Sequence, residues 1–211
     1  VKRAWDAGGC ATRTGLPSAY LHVSRRTLNL ADAAKPTDDG RLGESALDTL
    51  CTGRVPLRTL LARADLLGCE ALVKDAAQEL GGLDAVVTWD GSRRLREVMR
   101  RHDRAVLAAL APMRAAVLGY LRQQGIDGTR QAIIDIGWHG TLQAAIANLL
   151  RDGGTAPVLV GLYYGLWPGA QRRRPFAGWM EGAFGNDFIP FEDQPGLHNA
   201  VALLENLHLA P

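Results

Sequence analysis

The sequence predicts an α/β protein, a parallel-sheet core interrupted by a helical insertion, and three observations predict it. First, the stretch from Gln131 to Leu166 changes period twice. "AIID" reads as a short buried strand, "TLQAAIANLLRDGG" as an amphipathic helix closed by glycines, and "APVLVGLYYGL" as a second buried strand. Strand, helix and strand within about 35 residues make a βαβ unit, which implies parallel strands and a right-handed crossover. Second, residues from Pro56 to about Gly125 keep a helical pattern throughout. Third, strand-like sequence stands on both sides of that block. The core is therefore expected to comprise residues 1–40 and 126–211, with 41–125 as a helical insertion or lid.

Each element has a local reason. "SAYLHVSRRTLNLADAA" predicts a short strand, a turn at Ser24-Arg25-Arg26 and a helix. "KPTDDGRLGES" is rich in Pro, Gly and Asp, the composition of a mobile surface loop. "PLRTLLARADLLG" opens on a proline suited to a first helical position and closes on Gly68. "CEALVKDAAQELGG" ends the same way. "SRRLREVMRRHDRAVLAALAPMRAAVLGYLRQQG" predicts one long amphipathic helix, or two meeting near Pro112. After the βαβ unit, "WPGAQRRRPFAGWMEGAFGNDFIPFEDQPG" is loop or short-strand material, and "LHNAVALLENLHL" is a last helix.

Composition narrows the class. At 211 residues the chain can bury one good core plus a helical subdomain. A net charge of +2 is too small to argue for a nucleic-acid partner. Almost all the positive charge is arginine, with lysine only at Lys2, Lys35 and Lys74. Compositional bias of an Arg- and Ala-rich genome is the plainer explanation, and arginines that grip phosphate the sharper one. Cys10, Cys51 and Cys69 are widely spaced and unpaired in sequence, as reduced thiols of a cytoplasmic protein would be. No secretory leader is visible, and the longest apolar stretch noted, Ala156–Leu166, is about half the roughly 20 residues of a membrane span, so no transmembrane segment is expected. The start at Val1 and the stop after "ENLHLAP" suggest a domain excised from a longer protein.

The chemistry concentrates in "DIGWHGT". In an open parallel sheet, ligands bind at the carboxyl ends of strands, where Asp135 is expected. Gly137 and Gly140 permit positive φ or close approach to the backbone, and the amides of Gly137, Trp138, His139, Gly140 and Thr141 can converge on an anion. A helix starting at Thr141 adds its dipole and free N–H groups, and the Thr141 hydroxyl a donor. Such a loop suits a phosphate monoester, and Asp135 suits sugar hydroxyls or a metal. The alternative is a tight strand-to-helix turn in which Thr141 caps the helix.

"AIIDIGWHGTLQAAIANLLRDGG" followed by "VLVGLYYG" resembles the signature of type I phosphoribosyltransferases. That likeness implies a loop holding the 5-phosphate of phosphoribosyl pyrophosphate (PRPP), with an acidic strand end on the ribose hydroxyls. Only Asp135 is acidic where that family has two neighbouring acids, and the loop is shorter, which points away from nucleobase salvage. Across nearly the whole chain, "YLHVSRRTL", "DIGWHGTLQ", "GLYYGLWPGA" and "LLENLHLAP" resemble the C-terminal module of bacterial surface-polysaccharide proteins that also carry a haloacid-dehalogenase-type phosphatase. This group is similar to the PRPP-dependent pentofuranosyltransferases of O-antigen and capsule assembly.

The resemblance implies a phosphoribosyltransferase-like core that moves a 5-phosphoribosyl unit from PRPP to a glycan or lipid-linked oligosaccharide hydroxyl. The phosphatase then removes the 5-phosphate. It implies a cytoplasmic place, which a complex could bring to the inner face of the membrane. Ser24, Arg25 and Arg26 would take the pyrophosphate, Asp135 the ribose, and Gly137 to Thr141 the 5-phosphate. Mg²⁺ would be held mainly by PRPP, with Asp135 as a ligand. A sugar hydroxyl needs a base, for which Asp38, Asp39, Glu181, Asp187 and Glu205 are open candidates. Trp167, Trp179, Phe184 and Phe188 can stack on sugars or fill a core, and Arg172, Arg173 and Arg174 can meet an acidic partner or water. An ordinary phosphoribosyltransferase on a base or amine, a non-catalytic PRPP-binding module, and a polysaccharide-binding scaffold are the rival functions.

Overall fold

The computed structural model describes Gly15 and residues 19–126, 130–135, 139–154, 158–166, 169–170 and 177–184. The chain divides into two compact units, residues 23–123 and residues 1–22 with 124–211. The architecture is mixed α/β, with seven helices and a three-stranded parallel sheet among the described residues.

The first unit is helical: α1 (Arg25–Ala33), α2 (Glu44–Cys51), α3 (Leu57–Arg63), α4 (Glu70–Leu80), α5 (Trp89–Arg101) and α6 (Asp103–Gln123). Leucines at helical spacing form its core, among them Leu47, Leu50, Leu57, Leu61, Leu72, Leu95 and Leu110, all buried. Helix α1 packs on α2 and α6, and α5 on α2 and α4. Two helices start on side-chain caps. Ser24 Oγ accepts from Thr27 N at 3.0 Å, and Thr88 Oγ1 from Gly91 N at 3.2 Å. Across the α2–α5 seam, Arg96 pairs with Asp48 and Glu44, and Arg100 reaches Glu44 at 2.7 Å.

Several expected elements differ here. Tyr20 to Ser24 forms no strand; Ser24 caps a helix, and α1 belongs to the helical unit although the sequence reading grouped residues 1–40 with the sheet. The expected loop closes early, with a Pro36–Leu42 bridge, and α2 begins at Glu44 without a capping side chain to announce it. Helix α3 stops at Arg63 rather than near Gly68, because Asp65 turns left-handed (φ 55°) and sends Leu66 into the core.

The long helical stretch breaks at His102, whose Nε2 lies 2.8 Å from Asp75 Oδ2, and not at Pro112. Pro112 sits inside α6 on its exposed side, where the freed carbonyl of Ala108 can bond to water. Contrary to the expectation that no stretch is long enough, α6 has the length and composition to cross a membrane. Within this unit it buries Val106, Leu110, Val117 and Leu121.

The second unit holds β1 (Arg130–Asp135), α7 (Thr141–Asp152), β2 (Val158–Gly165) and β3 (Trp179–Phe184). The strands pair in parallel in the order β1-β2-β3, with Asp135 opposite Tyr163 and Val160 opposite Trp179. Strand β1, α7 and β2 form the expected βαβ unit. Helix α7 buries Ile146, Leu149 and Leu150.

Candidate functional site

Asp135 is the last residue of β1 and is half-buried. The chain then crosses a turn and enters α7 at Gly140, which is buried and left-handed (φ 62°, ψ 16°). Its positive φ calls for glycine; a Cβ there would also meet Met180 Sδ at 2.5 Å, a contact to which that flexible side chain would have to yield. The Gly140 carbonyl accepts the first helical bond, from Ala144 N at 3.0 Å. Thr141 is thus the first helical residue rather than the cap. Gly140 brings no side chain to cap α7, and the helix's first turn carries no acidic residue to compete with an anion for the amides.

The turn is buttressed from below by a polar node missing from the sequence reading. Gln143, in the first turn of α7, has 0 % of its surface exposed. Its Nε2 donates to the carbonyls of Ala177 (2.8 Å) and Trp179 (3.0 Å), and its Oε1 accepts from Tyr163 Oη (2.9 Å). Two donors and one acceptor are used, which fixes the amide orientation. The node fits because glycines surround it. A Cβ at Gly161 would lie 1.9 Å from Gln143 Oε1, and one at Gly178 (φ 89°) 2.4 Å from the Leu159 carbonyl. Gln143 lies on the same helical face as Ile146 and Leu150, and Gly161 interrupts an apolar strand; together these could have signalled the contact.

The other expected site residues fall into three groups. Gly140 and Thr141 stand with Asp135 at the β1–α7 junction, and His139 is exposed beside them; Gly137 and Trp138 lie outside the described residues. Ser24, Arg25, Arg26, Asp38 and Asp39 belong to the helical unit. There Ser24 is engaged as a cap, and Arg26 donates to the Arg63 carbonyl. Asp38 is exposed, and the Thr37 hydroxyl beside Asp39 holds its carboxyl below the usual range. Glu181 is a residue of β3 opposite Leu162. Trp179 starts that strand and Phe184 ends it. Trp167, Asp187, Phe188, Glu205 and Arg172 to Arg174 lie outside the described residues.

Among the described residues no group of three or more His, Cys, Asp or Glu converges as a metal cage. A hard cation at this junction would take one protein oxygen, from Asp135, and the rest from its ligand and water, as suits Mg²⁺. Cys51, expected as a reduced thiol, is a free, buried cysteine, and burial pushes its pKa up to about 12.

No family model, curated protein or solved structure matches the chain.

Proposed function

We propose that the chain is a PRPP-dependent glycosyltransferase that moves a 5-phosphoribosyl unit onto a hydroxyl of a bacterial polysaccharide. One observation carries the proposal. A carboxylate ends a parallel strand, and five residues later a left-handed glycine opens an uncapped helix. That junction offers one acid for ribose hydroxyls and a set of amides plus a helix dipole for a phosphate. The resemblance to PRPP-using pentofuranosyltransferases supplies the substrate class.

In this reading the acceptor oxygen attacks C1 of the ribose from the β face. The C1–O bond to pyrophosphate breaks, and pyrophosphate leaves with the electron pair. The hydroxyl proton passes to a carboxylate drawn from Asp38, Glu181 and Glu205. The transition state is oxocarbenium-like, and inversion at C1 gives a β-ribofuranoside. Asp135 orients the ribose, and Gly140 and Thr141 hold the 5-phosphate, which a partner phosphatase later removes. Mg²⁺ bound with PRPP would supply charge neutralisation to the leaving pyrophosphate, with Asp135 as the protein's ligand to it.

The test is pyrophosphate release followed by ³¹P NMR with PRPP, Mg²⁺ and a lipid-linked oligosaccharide. Release that requires acceptor and is lost in Asp135→Ala supports the transferase. Release onto nucleobases or amines instead indicates an ordinary phosphoribosyltransferase. Asp38→Asn, Glu181→Gln and Glu205→Gln assign the base by which one abolishes kcat. One observation favours a second reading, a PRPP-binding module without transfer. Ser24 and Arg26, assigned to the pyrophosphate, are already engaged inside the helical unit. That reading predicts PRPP binding with no release under any acceptor.

A further inference from the structure

Gln143 is the only buried amide or charged side chain among the described residues, and burying an amide needs a reason. A methionine or leucine would fill the same space without giving up hydrogen bonds to water. The chain instead omits side chains to admit the amide. Gly161 interrupts the middle of β2, where a Cβ would lie 1.9 Å from Gln143 Oε1 and 2.5 Å from the Tyr163 ring. Glycine inside a strand weakens it, so the exchange is unfavourable unless the amide supplies something that packing cannot.

What hydrogen bonds add to apolar contact is direction. Those of Gln143 tie together three pieces that meet at the junction. Tyr163 Oη, near the end of β2, donates to Oε1, and Nε2 donates to the Ala177 and Trp179 carbonyls where the chain enters β3. Tyr163 is the register partner of Asp135. In parallel register the two side chains leave the same face of the sheet, in keeping with the buried Tyr163 and half-buried Asp135. The β1–β2 ladder therefore fixes Asp135 against Tyr163, and one hydrogen bond carries that position to Gln143. Gln143 is also the third residue of α7. Ala144 N is the first to bond inward, to the Gly140 carbonyl, so helical geometry leaves the amides of Thr141, Leu142 and Gln143 for another acceptor. The carboxylate and the amides are thus joined, through Tyr163, by the side chain of a residue that supplies one of those amides.

Taking the junction as a phosphosugar site, we propose that Gln143 is a positioning residue. Acting through Tyr163, it sets the span between Asp135 and the α7 amides, and so makes the junction select a ligand with a diol and a phosphate at that span over phosphate alone. Two groups on one ligand reinforce each other only when the protein holds both subsites at the matching distance. Loosening the node keeps each subsite but lets the spacing between them vary.

NMR titration of the full chain with ribose 5-phosphate and with inorganic phosphate, Mg²⁺ present, tests it. The ratio of the two affinities reports the spacing rather than the presence of the amides. The unmodified chain should favour ribose 5-phosphate by about tenfold or more. Tyr163→Phe should cut that preference by about fivefold while phosphate affinity stays within about twofold. Gln143→Met should lower the ratio likewise, and adding Tyr163→Phe to it should change the ratio no further. If Gln143→Met loses its fold by hydrogen exchange, Tyr163→Phe decides alone. An unchanged ratio in Tyr163→Phe overturns the proposal and leaves the node a packing feature, and so does an equal loss for both ligands. A further fall in the double variant also overturns it, because Tyr163 would then act by another route. Failure of the phosphosugar reading is distinct: the unmodified chain binds neither ligand, or binds both equally, and the proposal falls with it.

Discussion

The two units are built on opposite economies of side chain. The helical unit buries one to three leucines from each of its helices in one continuous core and keeps its polar groups on the surface, where Arg96 and Arg100 bridge α2 and α5. The α/β unit, among its described residues, buries a glutamine and brings neighbouring atoms close to its backbone at Gly140, Gly161 and Gly178. A leucine core tolerates change in proportion to volume, whereas a glycine-lined polar node tolerates almost none. The candidate site lies in the second kind of unit, where a small displacement of α7 would move the amides that face a ligand.

Substitutions can break this contrast, beginning with the largest effect. Leu95→Ala should cost about 2–5 kcal/mol in denaturant unfolding, with faster hydrogen exchange confined to residues 23–123. Gly161→Ala, which strikes Gln143 and the Tyr163 ring, should cost about 1–3 kcal/mol, with faster exchange in α7 and β3 instead. Combining it with Gln143→Ala should recover part of that loss, because the amide is the nearest obstacle; simple additivity would show that the node is not the cause. Gly140→Ala should cost about 1–2 kcal/mol for the left-handed backbone. It should also weaken ligand binding out of proportion to stability.

The smallest effect belongs to Glu44. Hydrogen bonds from Arg100 and then Arg96 hold its carboxyl below the usual value of 4.5. A depressed folded-state pKa gives stability that is complete above the unfolded value and is lost as pH falls through the folded one. The Tm difference between the unmodified chain and Glu44→Gln should therefore be slight at pH 7, close to zero below the folded-state pKa, and reduced by salt.

The βαβ unit was legible because its period changes from 2 to 3.6 and back within one short stretch, with glycines at the end of the helix. Asp135 and Gly140 were legible for the same reason: the topology makes strand end and helix start meet. The early strand at Tyr20 was misread because β-type residues over so short a run cannot outweigh a Ser24 cap followed by a helical pattern. Pro112 misled as a breakpoint because a proline on the wet side of a helix leaves a carbonyl that water can satisfy. The break falls instead at His102, whose partner, Asp75, lies 27 residues away in sequence. Gln143 was hidden for a like reason, since its partners Tyr163, Ala177 and Trp179 come from β2, the residues just before β3, and the start of β3.

The most direct test of the β1–α7 junction as a phosphosugar site is calorimetric titration of the full chain with PRPP and Mg²⁺, beside Asp135→Ala and Gly140→Ala. The account predicts saturable 1:1 binding that falls at least tenfold in both variants while their folds persist by hydrogen exchange. Absence of binding to the unmodified chain, or equal binding in all three, would contradict it and leave the junction a strand-to-helix turn.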